Sequence, residues 1–218
     1  MCFSATSSFI AAGLTGLAGL AAVVRVQRRR EFVLAATPLF FATQQVIEGL
    51  LWLRLPVAPV GPEASQLTIL FLLFAKVFWP VFAPLAALSA ESDPTRQRWM
   101  YACLAIGSGV GLYFLWSVLA HDQIARVVHG HIAYTGGPTS PLLIGVGYFI
   151  ATAGASALSS HAAVRMFAAI VIASSVVTYF IYWDAFSSVW CFFAAAASAV
   201  IVFHFERKRK AQTMPAGV

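Results

Sequence analysis

Seven runs of about twenty apolar residues, divided by charges or by proline and glycine, leave this chain few folds to choose from. As a helix, each run is about as long as a bilayer's hydrocarbon core is thick. The runs are Ser4 to Val24, Phe32 to Leu55, Leu67 to Ala90, Trp99 to Ala120, Pro141 to Leu158, Val164 to Trp183 and Ala185 to Phe205. The last two abut at "YWDAFSS". As one segment they would be about twice a bilayer long, so a tight turn near Asp184 divides them. With 60% hydrophobic and 10% charged residues, the chain lies far from the roughly 25% charge of a soluble domain. The expected fold is all-α: residues 1–205 form one transmembrane bundle and 206–218 a basic cytoplasmic tail.

The cations set an expected orientation. Arg25, Arg28, Arg29, Arg30, Arg96, Arg98, Arg165, Arg207, Lys208, Arg209 and Lys210 flank the runs on one side, while Arg54 and Arg126 fall on the other. The positive-inside rule then places the N-terminus outside and the C-terminus in the cytoplasm. The net charge of +6 reads as a topology signal, and no nucleic-acid partner is expected. No basic segment precedes the first run, so no cleavable signal peptide is expected and that run stays in the protein.

A charge at bilayer depth costs about 2.5–3.5 kcal/mol on insertion scales, which makes polar residues inside the runs informative. In "TQQVIEGLLW", Gln44, Gln45, Glu48 and Trp52 share one helix face. Glu48 lies about 10 Å from the outer end of its helix. Lys76 lies at a similar depth on the third run, with Trp79 and Pro80 just beyond. A Glu48–Lys76 ion pair would offset both insertion costs, either as glue between helices or as part of a pocket. Pro80 and Pro84 are expected to bend the third helix or to free backbone carbonyls. Tyr182 and Asp184 close the sixth run, and Ser187, Ser188 and Cys191 open the seventh.

The loop "HDQIARVVHGHIAYTGGPTSP" holds His121, His129 and His131, and its middle is expected to form a short interfacial helix. Removal of Met1 would leave Cys2 with an α-amine and a thiol on one residue. Cys2 and Cys191 both fall on the outer side. Two readings stay open: a disulfide, or ligation of a thiophilic metal, Zn or Cu, together with His131 or Glu48.

The opening "MCFSATSSF", the break "RRRE" and the runs "QQVIEGLLW" and "SSVWCFFAAAAS" resemble an uncharacterised family of bacterial multi-pass membrane proteins that begin Met-Cys-Phe-Ser-Ala. The resemblance implies the bacterial inner membrane and carries no activity with it. The seven-helix, N-out plan is also similar to that of ceramidase-like membrane hydrolases. Those enzymes hold zinc with histidines that include a His-x-x-x-His pair on the last helix, where this chain has only His204.

Gln44, Gln45, Glu48, Trp52, Lys76, Trp79, Tyr182 and Asp184 are thus the expected lining of an outward-facing intramembrane pocket. Glu48, Lys76 and Asp184 are the candidate reactive groups. The expected function is a binding, sensing or carrier module for a small molecule, lipid or ion. The alternatives are a metal-dependent enzyme acting on a lipid or small periplasmic substrate, in which Glu48 is the general base, and a structural membrane subunit.

Overall fold

The structure, a computed structural model, describes residues 4–181 and 186–213; Cys2, Tyr182 and Asp184 lie outside the described residues. The helices are α1 (Ala5–Val23), α2 (Thr37–Arg54), α3 (Pro62–Ala90), α4 (Pro94–Ala120), α5 (Leu142–Ala157), α6 (Ala162–Ile181) and α7 (Phe186–Glu206). Short helical turns at Arg29–Glu31 and Phe32–Ala35 lead into α2, and the backbone continues helically beyond α7 to Thr213. By length and hydropathy, α1, α3, α4, α6 and α7 can each cross a membrane. Helix α2 carries the Gln44, Gln45 and Glu48 cluster, and α5 is short.

Local chemistry fixes the helix starts. Ser4 accepts the Ser7 N–H at the head of α1, at 3.2 Å. Asp93 accepts the N–H groups of Thr95 and Arg96 at the head of α4, where Pro94 has no N–H to lose. Packing of α1 on α2 is antiparallel and close: Gly19 meets Leu39, Gly16 meets Ala42, and Phe9 covers Gly49.

Prolines shape α3, as the sequence predicts. Between Leu73 and Phe78 the helix widens into a π-turn, and the Trp79 N–H bonds to Phe74 O. In that register the next donor, to Ala75 O, would come from residue 80, and Pro80 has no N–H. The Tyr148 hydroxyl of α5 donates to Ala75 O instead, at 2.5 Å. Pro84 likewise leaves Pro80 O without its helical donor. Gly107 of α4 lies so close to that oxygen that a Cβ there would stand 1.8 Å from it, which makes this a glycine position.

One helical expectation fails. The histidine loop forms a β-hairpin, β1 (Ile124–Val128) and β2 (His131–Thr135), with Val128 opposite His131. Its two-residue turn, His129–Gly130, has φ of 50° and 77°, the left-handed pair that matches strand twist. Val127, Val128, Ile132, Tyr134 and Thr135 are the β-branched and aromatic residues that suit a half-buried ribbon. The hairpin marks one end of the bundle, and the arginine-bearing breaks mark the other, the basic end. Tyr134 stacks on Phe71 at 4.5 Å and Ile132 is buried, which seats the hairpin against α3.

The main core lies between these ends. Phe41, Trp79, Phe82, Phe167 and Trp190 pack together there, with Phe41 and Trp79 stacked at 3.8 Å.

Candidate functional site

Gln44, Gln45 and Glu48 are wholly buried on the face of α2 that their spacing predicts. Glu48 accepts from the Ser188 hydroxyl of α7 and from Gln45 Nε2, the latter at 3.3 Å. Trp79 Nε1–H donates to Gln44 Oε1 at 2.6 Å, so α3 holds the first glutamine while α7 holds the carboxylate. The Cys191 thiol, one helical turn beyond Ser188, lies beside the Gln44 amide. These donors are neutral. Among the described residues the ion pairs are Arg25–Glu206 at 3.5 Å and Arg54–Glu63 at 2.9 Å, and neither includes Glu48.

The cluster is also incomplete. Gln44 Nε2 and Gln45 Oε1 are buried without a hydrogen-bond partner among the described residues. Leaving such an atom unpaired costs about 1–3 kcal/mol, and a folded core rarely keeps two side by side. Together the atoms present one free donor, one free acceptor and a carboxylate with remaining lone pairs. That set matches a small ligand that gives hydrogen bonds and accepts one.

Several expectations need correction. The Glu48–Lys76 ion pair does not form. The π-turn carries Lys76 away from α2, its ammonium stands 5.6 Å from the centre of the Phe114 ring, and Trp79 occupies the place beside Gln44. Trp52 lies farther toward the hairpin, packed with Leu51, Leu55 and Ile132. Of the metal candidates, Cys2 lies outside the described residues, and among the described residues no three His, Cys, Asp or Glu side chains come together to hold an ion. Glu48 is engaged by Ser188 and Gln45, and His131 sits on β2, where burial lowers its pKa. Cys191 is a free buried thiol. A recess of about 870 Å³ does open at the hairpin end, beside Thr68, His121, Asp122 and Arg126, but Gln44, Gln45 and Glu48 do not line it.

Sequence reasoning assigned no role to Ser188 or Tyr148. Both are visible only once α7 and α5 are set against α2 and α3. It also passed over Glu91, a second buried carboxylate, at the basic end. Glu91 Oε1 accepts from the Ser92 and Asp93 N–H groups at 2.8 and 3.0 Å and from the Ser160 hydroxyl at 2.9 Å, while Oε2 accepts the Ser160 N–H at 2.6 Å. Burial by itself would raise its pKa, but the N–H donors of Asp93, Ser160 and Ser92 outweigh it and hold the carboxyl at about 2.

No match is found among curated proteins or among solved structures. A family model does match, over residues 1–216, and the chain belongs to that family, the family of unknown function DUF6629.

Proposed function

We propose that this chain is a seven-span protein of the bacterial inner membrane, with its N-terminus outside, that binds a small cation or protonated ligand at Glu48 as a sensor or carrier. The observation that carries this reading is the pair of unpaired amide atoms, Gln44 Nε2 and Gln45 Oε1, beside a wholly buried carboxylate whose side-chain donors are neutral. Among the described residues no cation pairs with Glu48, so a ligand with positive charge would supply one, and a ligand that also carries a hydroxyl or brings a water would give to Gln45 Oε1 and accept from Gln44 Nε2. The clustering of basic residues at one end supports the orientation.

The test is thermal unfolding of purified protein across a panel of alkali, alkaline-earth and ammonium ions and protonated ethanolamine, whose hydroxyl can also accept, at fixed ionic strength. At about one hundred times its Kd, a bound ligand adds about 2.7 kcal/mol, or an increase of at least about 5 °C in Tm for a chain of this size. At least one ion should stabilise the wild type by that amount and leave Glu48→Gln unmoved. Identical responses from the two proteins across the panel would sink the reading.

A further inference from the structure

The recess of about 870 Å³ at the hairpin end has walls of two kinds. One wall is made by the ends of α3 and α4, with Thr68 and Ile69 on the first and Val118 and Leu119 on the second; the other is the strand that carries Asp122 and Arg126. The chain leaves α4 extended at His121, with φ −135° and ψ 148°, and burial then alternates: Gln123 and Ala125 are buried, while Asp122, Ile124 and Arg126 are exposed. The last three share one face, with the Cα atoms of Asp122 and Arg126 about 13 Å apart at about 3.3 Å per residue. The hairpin fixes the place of the acid, because Gly136 lies so close to Asp122 O that a Cβ there would stand 2.1 Å from it. Asp122 and Arg126 thus put opposite charges on one recess, yet neither enters an ion pair among the described residues. Two neighbouring polar groups are already engaged: the Thr68 hydroxyl donates to Ala64 O at 2.7 Å, and Gln123 Nε2 to Ser117 O at 3.2 Å and His121 O at 3.0 Å.

We propose that this recess seats the headgroup of a membrane phospholipid that carries both a phosphate and a primary ammonium, with the phosphate at Arg126 and the ammonium at Asp122. The volume lies in the range of about 300–1,000 Å³ usual for small-molecule sites. A phosphate and an ammonium two carbons apart, with a hydrogen bond at each end, suit the spacing of the two charges. Water solvates each charge separately and a simple ion pairs with one of them, whereas a zwitterion in this order neutralises both and makes a charge-assisted hydrogen bond at each end. The apolar wall favours a lipid over a free headgroup. Leu119 and Ile124 are 68% and 41% exposed beside these charges, at the ends of two helices long and apolar enough to cross a membrane. There the headgroups of a bilayer border the recess and their acyl chains can lie along the apolar wall. The inference rests on α3 and α4 crossing the bilayer and requires no ligand at Glu48.

The experiment is native mass spectrometry of the detergent-purified full chain with equal amounts of dioleoyl phosphatidylethanolamine, phosphatidylcholine and phosphatidylglycerol. The choline headgroup has no N–H to give to Asp122, and the glycerol headgroup has no cation. The wild type should retain the ethanolamine lipid at least threefold over either of the others. Asp122→Asn should remove that preference, Arg126→Gln should lower retention of the ethanolamine lipid at least threefold, and Glu48→Gln should change neither. Both Asp122 and Arg126 are exposed, so neither substitution removes core packing. O-Phosphoethanolamine, the headgroup without chains, should leave the bound lipid in place at tenfold excess. Equal retention of the three lipids by the wild type, or a preference that survives both Asp122→Asn and Arg126→Gln, would overturn the proposal and leave the Glu48 reading intact. Displacement by O-phosphoethanolamine would overturn the lipid as the occupant, and a preference lost in Glu48→Gln but kept in Asp122→Asn would overturn the placement at this recess.

Discussion

Glu48 and Glu91 are 0% and 1% exposed, yet they are held in opposite ways. Glu91 sits where α3 ends and α4 begins, and the turn's own N–H groups converge on it. Ser160, at the α5–α6 turn, adds two more donors, so a single carboxylate ties three helix ends together. Glu48 lies mid-helix, where the backbone N–H groups are already used, and it depends on two side chains. Its glutamine neighbours remain partly unpaired. A buried acid whose lone pairs are saturated by backbone donors is a brace. One left among neutral, half-used amides keeps hydrogen-bonding capacity that the described residues do not use.

Truncation should separate them most strongly. Glu91→Ala strands the Ser92, Asp93 and Ser160 donors and should cost about 3–4 kcal/mol in chemical unfolding of the purified protein. The acid limb of stability should carry the same signature. The folded pKa of about 2 lies below the ordinary 4.5, so the Glu91 contribution is full above about pH 4.5 and is lost as pH falls toward 2. In Glu91→Gln that descent should be absent from a pH series of melting curves.

The neutral isosteres sharpen the contrast. Glu91→Gln should lose about 2 kcal/mol, since an amide cannot accept four hydrogen bonds at two oxygens, whereas Glu48→Gln should stay within about 1 kcal/mol of the wild type. Equal losses would remove the distinction. Ser188→Ala should cost about 1 kcal/mol and also weaken the ion-dependent rise in Tm, which no change around Glu91 should affect. The smallest effect belongs to Lys76. In a double-mutant cycle, Lys76→Met and Glu48→Gln should couple by less than about 0.5 kcal/mol, and a larger value would restore the ion pair that the sequence suggested.

Helix number and polar register were legible because both follow from local periodicity. The run Trp99 to Ala120 falls within Pro94–Ala120, and the shared face of Gln44, Gln45 and Glu48 needs only 3.6 residues per turn. The partners of these residues were not legible. Lys76 and Glu48 agree in depth, but depth says nothing about azimuth, and the π-turn rotates Lys76 away. The hairpin had a signal, His129–Gly130 between β-branched residues, that the surrounding helices outweighed. Glu91 lay in a loop of "ESDPT", where charge is ordinary, and only Ser160 arriving from the α5–α6 turn makes it special.

The π-turn in α3 has a consequence for how such a chain can vary. A helix advances about 100° per residue, so a single deletion between 73 and 78 that restored α-register would swing one half of α3 against the other by about that angle. Ala64 and Thr68 could keep their places near the hairpin while Trp79 turned its indole N–H away from Gln44. The bond between α3 and the buried glutamine thus depends on the count of residues as much as on their identity. Relatives that differ here by one residue in length would bring a different side chain to the cluster while the surrounding sequence stayed the same.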